Sequence, residues 1–227
     1  MASDNVEIEI NPGQQPGRFA AGEDPAKREQ IIEGAKRVFM RLGFDAASMN
    51  DITREAGVSK GTIYVYFQNK EDLFASIIEE ERQRITRMLK DILAGSEEVE
   101  DGLYRFGIGF ATHITSPRTI NAMRTLIGVR NRMPGLCSRF FHSPANVRTV
   151  LEDFIVRHIG QGKLEVEDTD LAARQFIDLT SGSFLKARLF GDLDDVPSRQ
   201  ELDRIVKSAI RVFMAAYGRT NASAGAG

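Results

Sequence analysis

Of the 227 residues, 42% are hydrophobic, enough to bury a substantial core and too many for a chain that stays disordered. Lys and Arg number 30 against 32 Asp and Glu, a formal net charge of −2, which excludes a protein that coats nucleic acid along its whole surface and confines any DNA contact to a local patch. The single cysteine, Cys137, excludes an intramolecular disulfide framework and a zinc site built from several thiolates, and it suits a reducing compartment.

Residues 1–24 hold Asp4, Glu7, Glu9, Glu23 and Asp24 against Arg18 alone, with Pro12, Gly13, Pro16 and Gly17, and read as a flexible acidic tail. No positive run with an apolar stretch behind it marks a signal peptide, and no apolar run approaches membrane-spanning length, so a cytoplasmic protein without a membrane partner is expected. A first helix opens at Pro25, carries Ile31, Ile32, Ala35, Val38, Phe39 and Leu42 at helical spacing, and meets a stop at Gly43. Ser48-Met49-Asn50-Asp51 begins a second helix as a capping box with Asp in place of Glu, and Ala56-Gly57 ends it. Ser59 caps a short third helix from Lys60 to Phe67, and Asn69 caps a long fourth that starts Lys70-Glu71-Asp72 and keeps its period through Leu73, Ile77, Ile78, Ile85, Met88, Leu89 and Ile92.

Gly95 to Gly102 reads as a connection. Further helices are predicted at about 103–115, 117–131, 144–160, 168–190 and 199–217, separated by Ser116-Pro117, Met133-Pro134-Gly135, Ser143-Pro144, Gly160-Gln161-Gly162 and the run from Gly191 to Pro197. The alternating stretch Lys163-Leu164-Glu165-Val166-Glu167 is short and isolated, so it reads as a loop rather than a strand. The predicted fold is all-α with about nine helices. It divides into a tail at 1–24, a three-helix helix-turn-helix DNA-binding domain at 25–70, a helical effector-binding and dimerisation domain at 71–218, and a tail at 219–227.

The functional signal is the plan of residues 25–67. Gly57-Val58-Ser59 forms a short glycine-containing turn between two helices, with Val58 and Ile63 directed inward against Val38, Phe39 and Ile52. The third helix is then the reader of the major groove. Lys60 supplies a positive charge and a donor to base edges, Gly61 a close backbone approach, and Thr62 a hydroxyl for phosphate and a methyl for thymine. Tyr64 and Tyr66 offer hydroxyls to phosphates, Lys70 a phosphate clamp, and Ser48 and Asn50 stand at the start of the second helix, whose dipole favours an anion. Aromatic packing competes as a reading of Tyr64 and Tyr66, and it is preferred for Phe67. Residues 25–75 carry eight Lys or Arg and seven Asp or Glu, so the segment is barely basic.

The run from Ile52 to Leu73, Ile-Thr-Arg-Glu-Ala-Gly-Val-Ser-Lys-Gly-Thr-Ile-Tyr-Val-Tyr-Phe-Gln-Asn-Lys-Glu-Asp-Leu, resembles the DNA-binding domain of the TetR family of regulators. Upstream, Ile32, Ala35, Phe39, Gly43 and Phe44 fall where that family places its first helix, so the likeness covers about residues 28–75. The resemblance implies a three-helix DNA-binding domain, a fourth helix leading to a ligand domain, and a homodimer on a pseudo-palindromic operator in double-stranded DNA. It also implies that Lys60, Gly61, Thr62, Tyr64, Tyr66 and Lys70 line the DNA. Arg124 to Phe141, with Met133-Pro134-Gly135-Leu136, is similar to the C-terminal domain of AefR-like members.

Between residues 103 and 190, Phe106, Phe110, His113, Met123, Leu126, Phe140 and Phe176 are candidates for an apolar effector cavity, although each taken singly reads better as core. Arg124, Arg130, Arg132 and Arg139 cluster, and one of them is a candidate partner for an anionic effector. A dimer face is expected on the last two helices, through Ala173, Ile177, Thr180 and Phe184 on one and Ile205, Ala209, Val212 and Phe213 on the other. An enzyme is the competing class and is not favoured. Gly107-Ile108-Gly109 has Thr112 where a dinucleotide loop needs a third glycine, His113, His142 and His158 lack metal-ligand spacing, and Cys137 has no catalytic partner, so neither cofactor nor metal is expected. A DNA-bound adaptor without an effector is the third class. The reading adopted is a repressor that a small apolar or amphipathic molecule releases from its operator.

Overall fold

A computed structural model describes residue 20 and residues 22–136 and 146–219. Most of both tails, and the expectations for Cys137, Arg139, Phe140 and His142, lie outside the described residues.

Helix α1, Pro25–Ala46, starts where Asp24 accepts the backbone N–H groups of Ala26 and Lys27, with Pro25 in its first turn. Gly43 breaks it as a kink, at φ +76°, rather than as an end, and one further turn reaches Ala46. Helix α2, Met49–Ala56, carries the expected Ser48–Asp51 capping box. Gly57 then adopts φ +64°, the left-handed conformation that a glycine reaches without steric penalty. Ser59 caps α3, Lys60–Tyr66, and Asn69 caps α4, Lys70–Ala94. These four helices enclose a core of Ile31, Ile32, Val38, Ile52, Ile63, Phe67 and Leu73, and Val58 packs against it from the turn.

The rest of the described chain forms α5 (Val99–Ile114), α6 (Pro117–Val129), α7 (Val147–Gly160), α8 (Thr169–Phe190) and α9 (Arg199–Tyr217). Helix α5 opens four residues earlier than the pattern predicted, because Gly102 is a packing residue and not a breaker. A Cβ built on Gly102 would lie 2.4 Å from Cζ of Phe154 on α7, so only hydrogen fits. Gly107 serves the same end toward α9, where an added Cβ would stand 2.8 Å from Cγ1 of Val206. Leu103, Phe106, Leu151, Phe176, Val206 and Phe213 are central to this second core, with the Phe176 and Phe213 rings 5.5 Å apart. The alternating stretch after α7 is almost wholly loop. Leu164 makes one isolated antiparallel bridge to Gly218, and the N–H of Glu165 reaches the carbonyl of Tyr217 at 2.9 Å.

A third apolar cluster joins the two bodies. Phe44 and Phe74 pack with Ile78 of α4 and with Leu126, Val129 and Leu136 in and after α6. The rings of Phe39, Phe44 and Phe74 lie 5.0 to 5.8 Å apart. The C-terminal half of α6 therefore rests directly on α1.

Candidate DNA interface and ligand cavity

Helix α3 is short, and its inward side is fully used: Ile63 and, just after it, Phe67 are buried in the first core. The opposite side is left to solvent. Lys60, Gly61 and Tyr64 are exposed, Tyr64 by 46%, and Asn50 is exposed at the start of α2. Thr62 is half-buried, and its hydroxyl lies 2.7 Å from that of Ser59. Tyr66 packs partly against the first core, so the packing reading applies to the body of its ring.

Much of the neighbouring positive charge is already matched. Arg37 and Arg41 both bind Glu55, at 2.8 and 3.1 Å, and hold its carboxyl below the usual range, while Arg54 binds Asp51 at 2.5 Å. No ion pair is recorded for Lys60 among the described residues, which leaves its charge available at the α3 tip. Two of the expected DNA contacts have other work. Ser48 uses its hydroxyl in the α2 cap, accepting from the N–H of Asp51 at 3.2 Å and donating to the carboxylate of the same residue. The Lys70 ammonium, expected as a phosphate clamp, donates to the carbonyls of Phe44, Asp45 and Ala47 at 2.9, 3.1 and 3.1 Å and sits 4.8 Å over the Phe44 ring. Its three donors close the open end of α1, a structural role that pattern reading missed.

A cavity of about 660 Å³ lies between α1, α4, α5, α6, α7 and α8. Of the expected lining residues, Phe110, His113, Met123 and Leu126 do line it. Phe106 and Phe176 do not. Both are fully buried with ring centroids 6.2 Å apart, because the second core closes over them from α9. Phe140 lies outside the described residues. The walls that the sequence did not single out come from α1 and α4, above all Phe39, Met40, Phe74, Ile78 and Ile85. Phe39, Ile78 and Ile85 were legible only as positions on an apolar helix face, and Met40 and Phe74 were not singled out at all.

Charged groups edge this apolar space. Glu81 of α4 meets Arg118 of α6 at 2.5 Å, Arg84 at 2.8 Å and Lys36 of α1 at 3.6 Å. Burial pushes the Glu81 carboxyl up, but the Arg84 hydrogen bond and the charges of Arg118, Arg84 and Lys36 together hold it below the ordinary carboxylate value. Burial holds His113 below its ordinary value, helped by the charge of Arg84 and opposed by Glu81. The arginines expected to greet an anion are elsewhere. Arg124 donates to the carbonyls of Leu189 and Arg188 at the end of α8, Arg132 pairs with Asp45 at 2.5 Å, and neither they nor Arg130 line the cavity. Arg139 is outside the described residues. Among the described residues no group of three His, Cys, Asp or Glu is placed to hold a metal, and no helix is long and apolar enough to cross a membrane.

The expected dimer stripe needs correction. Ala173, Thr180, Ala209 and Phe213 are buried within their own protomer, because α8 and α9 turn these residues onto the second core. Ile177 lines the cavity, and Phe184 and Ile205 are half-buried. Of the expected residues Val212 on α9 does face outward, and the other outward apolar positions are Leu171, Leu179 and Phe190 on α8, with Phe190 exposed by 83%.

Residues 31–77 match the model of the TetR family of bacterial regulatory proteins, and residues 101–219 match that of the AefR-like transcriptional repressor C-terminal domain. Over 67 residues the chain is 43% identical to the fatty acid metabolism regulator protein of Bacillus subtilis, a match that covers 29% of this chain and 34% of that protein. The aligned part spans less than half of the length of such curated relatives, between 26% and 45% for three of them. A TetR-family transcriptional regulator from Mesorhizobium loti MAFF303099 has the same fold, with a TM-score of 0.79 at 22% identity over 86% of this chain and 98% of that one. The flavonoid-responsive regulator FrrA superposes with a TM-score of 0.66 at 26% identity, over 85% of this chain and 97% of that one.

Proposed function

The chain belongs to the TetR family of bacterial transcription regulators, with a C-terminal domain of the AefR-like type, and from that premise we propose that it is a dimeric cytoplasmic repressor, not an enzyme, released from operator DNA by a small apolar or amphipathic effector. The observation that carries this reading is the 660 Å³ cavity, whose walls include α1 and α4, helices that share the first core with α2 and α3. Residues 25–70 act as the DNA-binding unit and 71–218 as the effector and dimer unit, with α4 rooted in the first and running through the second. Lys60, Gly61, Thr62 and Tyr64 approach the major groove, Asn50 and Ser48 face the flanking phosphates through the start of α2, and Tyr66 contributes its hydroxyl edge.

Two copies pair through the outward faces of α8 and α9, where Leu171, Leu179, Phe190 and Val212 present apolar surface. Successive major grooves require the two α3 helices to stand about 34–36 Å apart. An effector that fits the cavity better when α1, α4 and α6 are spread disfavours that spacing, and a coupling of roughly 1–3 kcal/mol is ordinary for such linkage. The flavonoid response in the name of FrrA and the fatty acid metabolism in that of the Bacillus subtilis relative accord with an effector of this general kind.

The test is selection of bound fragments from fragmented genomic DNA by the purified protein, followed by sequencing. Enrichment of an inverted repeat with half-sites about one helical turn apart is expected. Fragments recovered without any shared sequence would contradict operator recognition.

A further inference from the structure

We propose that the effector is an apolar molecule with an anionic head group, and that Lys36 of α1 and Arg118 of α6 bind that head group in competition with Glu81. The inference deepens the ligand-controlled reading and rests on it. The cavity is lined by the basic residues Lys36, Arg82, Arg118, Arg148 and Arg174 against the acidic Glu81 and Asp178. Between them the walls are apolar, and cations beside a partly dry space bind an anion more strongly than they do in water.

The two ends of the cavity differ. Where α7 meets α8, Arg148 is closed by Glu152 at 3.1 Å and by a short contact to Asp170, which also binds Arg174 at 2.7 Å, so two cations meet two carboxylates. Where α1, α4 and α6 meet, Arg28, Lys36, Arg84 and Arg118 surround Glu33, Glu80 and Glu81. Four cations and three carboxylates leave an excess positive charge at that end. The field at His113 agrees with this, since burial and the charges of Arg84 and Arg118 lower its pKa while Glu81 alone opposes them. Arg118 is 44% exposed and has five N–H donors, of which the recorded hydrogen bond to Glu81 uses one, so it has the capacity to hold a second carboxylate.

The location gives the head group leverage. Lys36 belongs to the DNA-binding unit and is tied to α4 through Glu80 and Glu81, at 3.8 and 3.6 Å, while Arg118 ties α6 to the same Glu81. An anion that draws Lys36 and Arg118 toward itself loosens both ties at once. The effector then touches α1 directly and needs no long relay to reach the DNA-binding unit.

Two matched probe pairs, decanoate with decanol and naphthylacetate with naphthylethanol, titrated into the full-length protein by calorimetry, test this. At least one carboxylate is expected to bind about tenfold or more tightly than its alcohol, and Arg118→Gln and Lys36→Met are expected to abolish most of that difference. In the wild-type protein, NMR titration of His113 is expected to show its pKa rising when the carboxylate is bound and not when the alcohol is bound, a readout that needs no substitution to fold. Equal affinity within both pairs would overturn the anionic head group and leave the effector cavity standing. Discrimination that survives Arg118→Gln but disappears in Arg148→Gln would put the head group at the other end and overturn its assignment. Binding of no probe at all would overturn both this proposal and the cavity reading beneath it.

Discussion

Lys60 and Lys70 lie ten residues apart in one motif and have different fates. Lys70 is closed in by three carbonyls at the end of α1, whereas Lys60 stands exposed at the tip of α3. Lys70→Met should therefore lower stability by about 1–3 kcal/mol by leaving carbonyls without donors, and thermal unfolding would register it. Lys60→Ala should leave the melting temperature nearly unchanged and reduce the salt slope of DNA binding by about 1. A Lys70 variant that melts like the wild type while losing the salt slope would reverse these assignments. His113 supplies a second case. Its folded-state pKa lies below the ordinary 6.5, so the folded protein resists the proton that the unfolded chain accepts. The resulting stability is complete above about pH 6.5 and declines as the pH falls from there through the lower folded value. Urea denaturation from about pH 7 down to about pH 5, below the ordinary histidine value, should show a shallower loss in His113→Gln than in the wild type. An identical slope would remove His113 as its source. At this scale the sequence revealed residues whose task is local, such as the Ser48, Ser59 and Asn69 caps. It hid Lys70, because its partners lie 23 to 26 residues away and are backbone atoms, which have no residue type to read.

Helices are set by periodicity and their ends by caps, so most elements were legible as elements. Helix α5 marks where that breaks down. A glycine in a polar stretch reads as a breaker, yet Gly102 lies inside α5, and it is glycine there because the Phe154 ring occupies the space where a side chain would be. Gly102→Ala should cost about 1–3 kcal/mol through overpacking, even though alanine is the better helix former, and chemical denaturation would measure it. A stabilised variant would show that the contact yields easily. The same limit explains the misplaced dimer stripe. Helices α8 and α9 are apolar on more than one side, and spacing alone does not say which side meets the protomer's own core. Ala173, Thr180, Ala209 and Phe213 took that place, while Val212 of the expected set and Leu179, which was not in it, were left outward.

The cavity belongs to the whole molecule. Its walls come from six helices and from residues as far apart as Lys36 and Leu185, which no single stretch of sequence displays. Phe110, His113, Met123 and Leu126 were identifiable as large side chains in the right unit. The contributions of α1 and α4 were not, because an apolar helix face looks the same whether it meets a packed neighbour or a space. Assembly gives a further prediction. Leu179→Arg places a charge on the proposed pairing face, and sedimentation should show monomers together with a large loss of operator affinity, since two half-sites are then bound one at a time. A Leu179→Arg protein that remains dimeric would move the interface elsewhere.

The central claim is that this dimer recognises DNA through α3. Fluorescence anisotropy on a duplex recovered by genomic selection, beside a scrambled duplex and at two salt concentrations, tests it most directly with the wild type and Tyr64→Ala. The account predicts tight, sequence-dependent binding by the wild type and a loss of about tenfold or more in Tyr64→Ala, with dimerisation unchanged. Unaltered affinity in Tyr64→Ala, or equal binding to both duplexes at both salt concentrations, would contradict it.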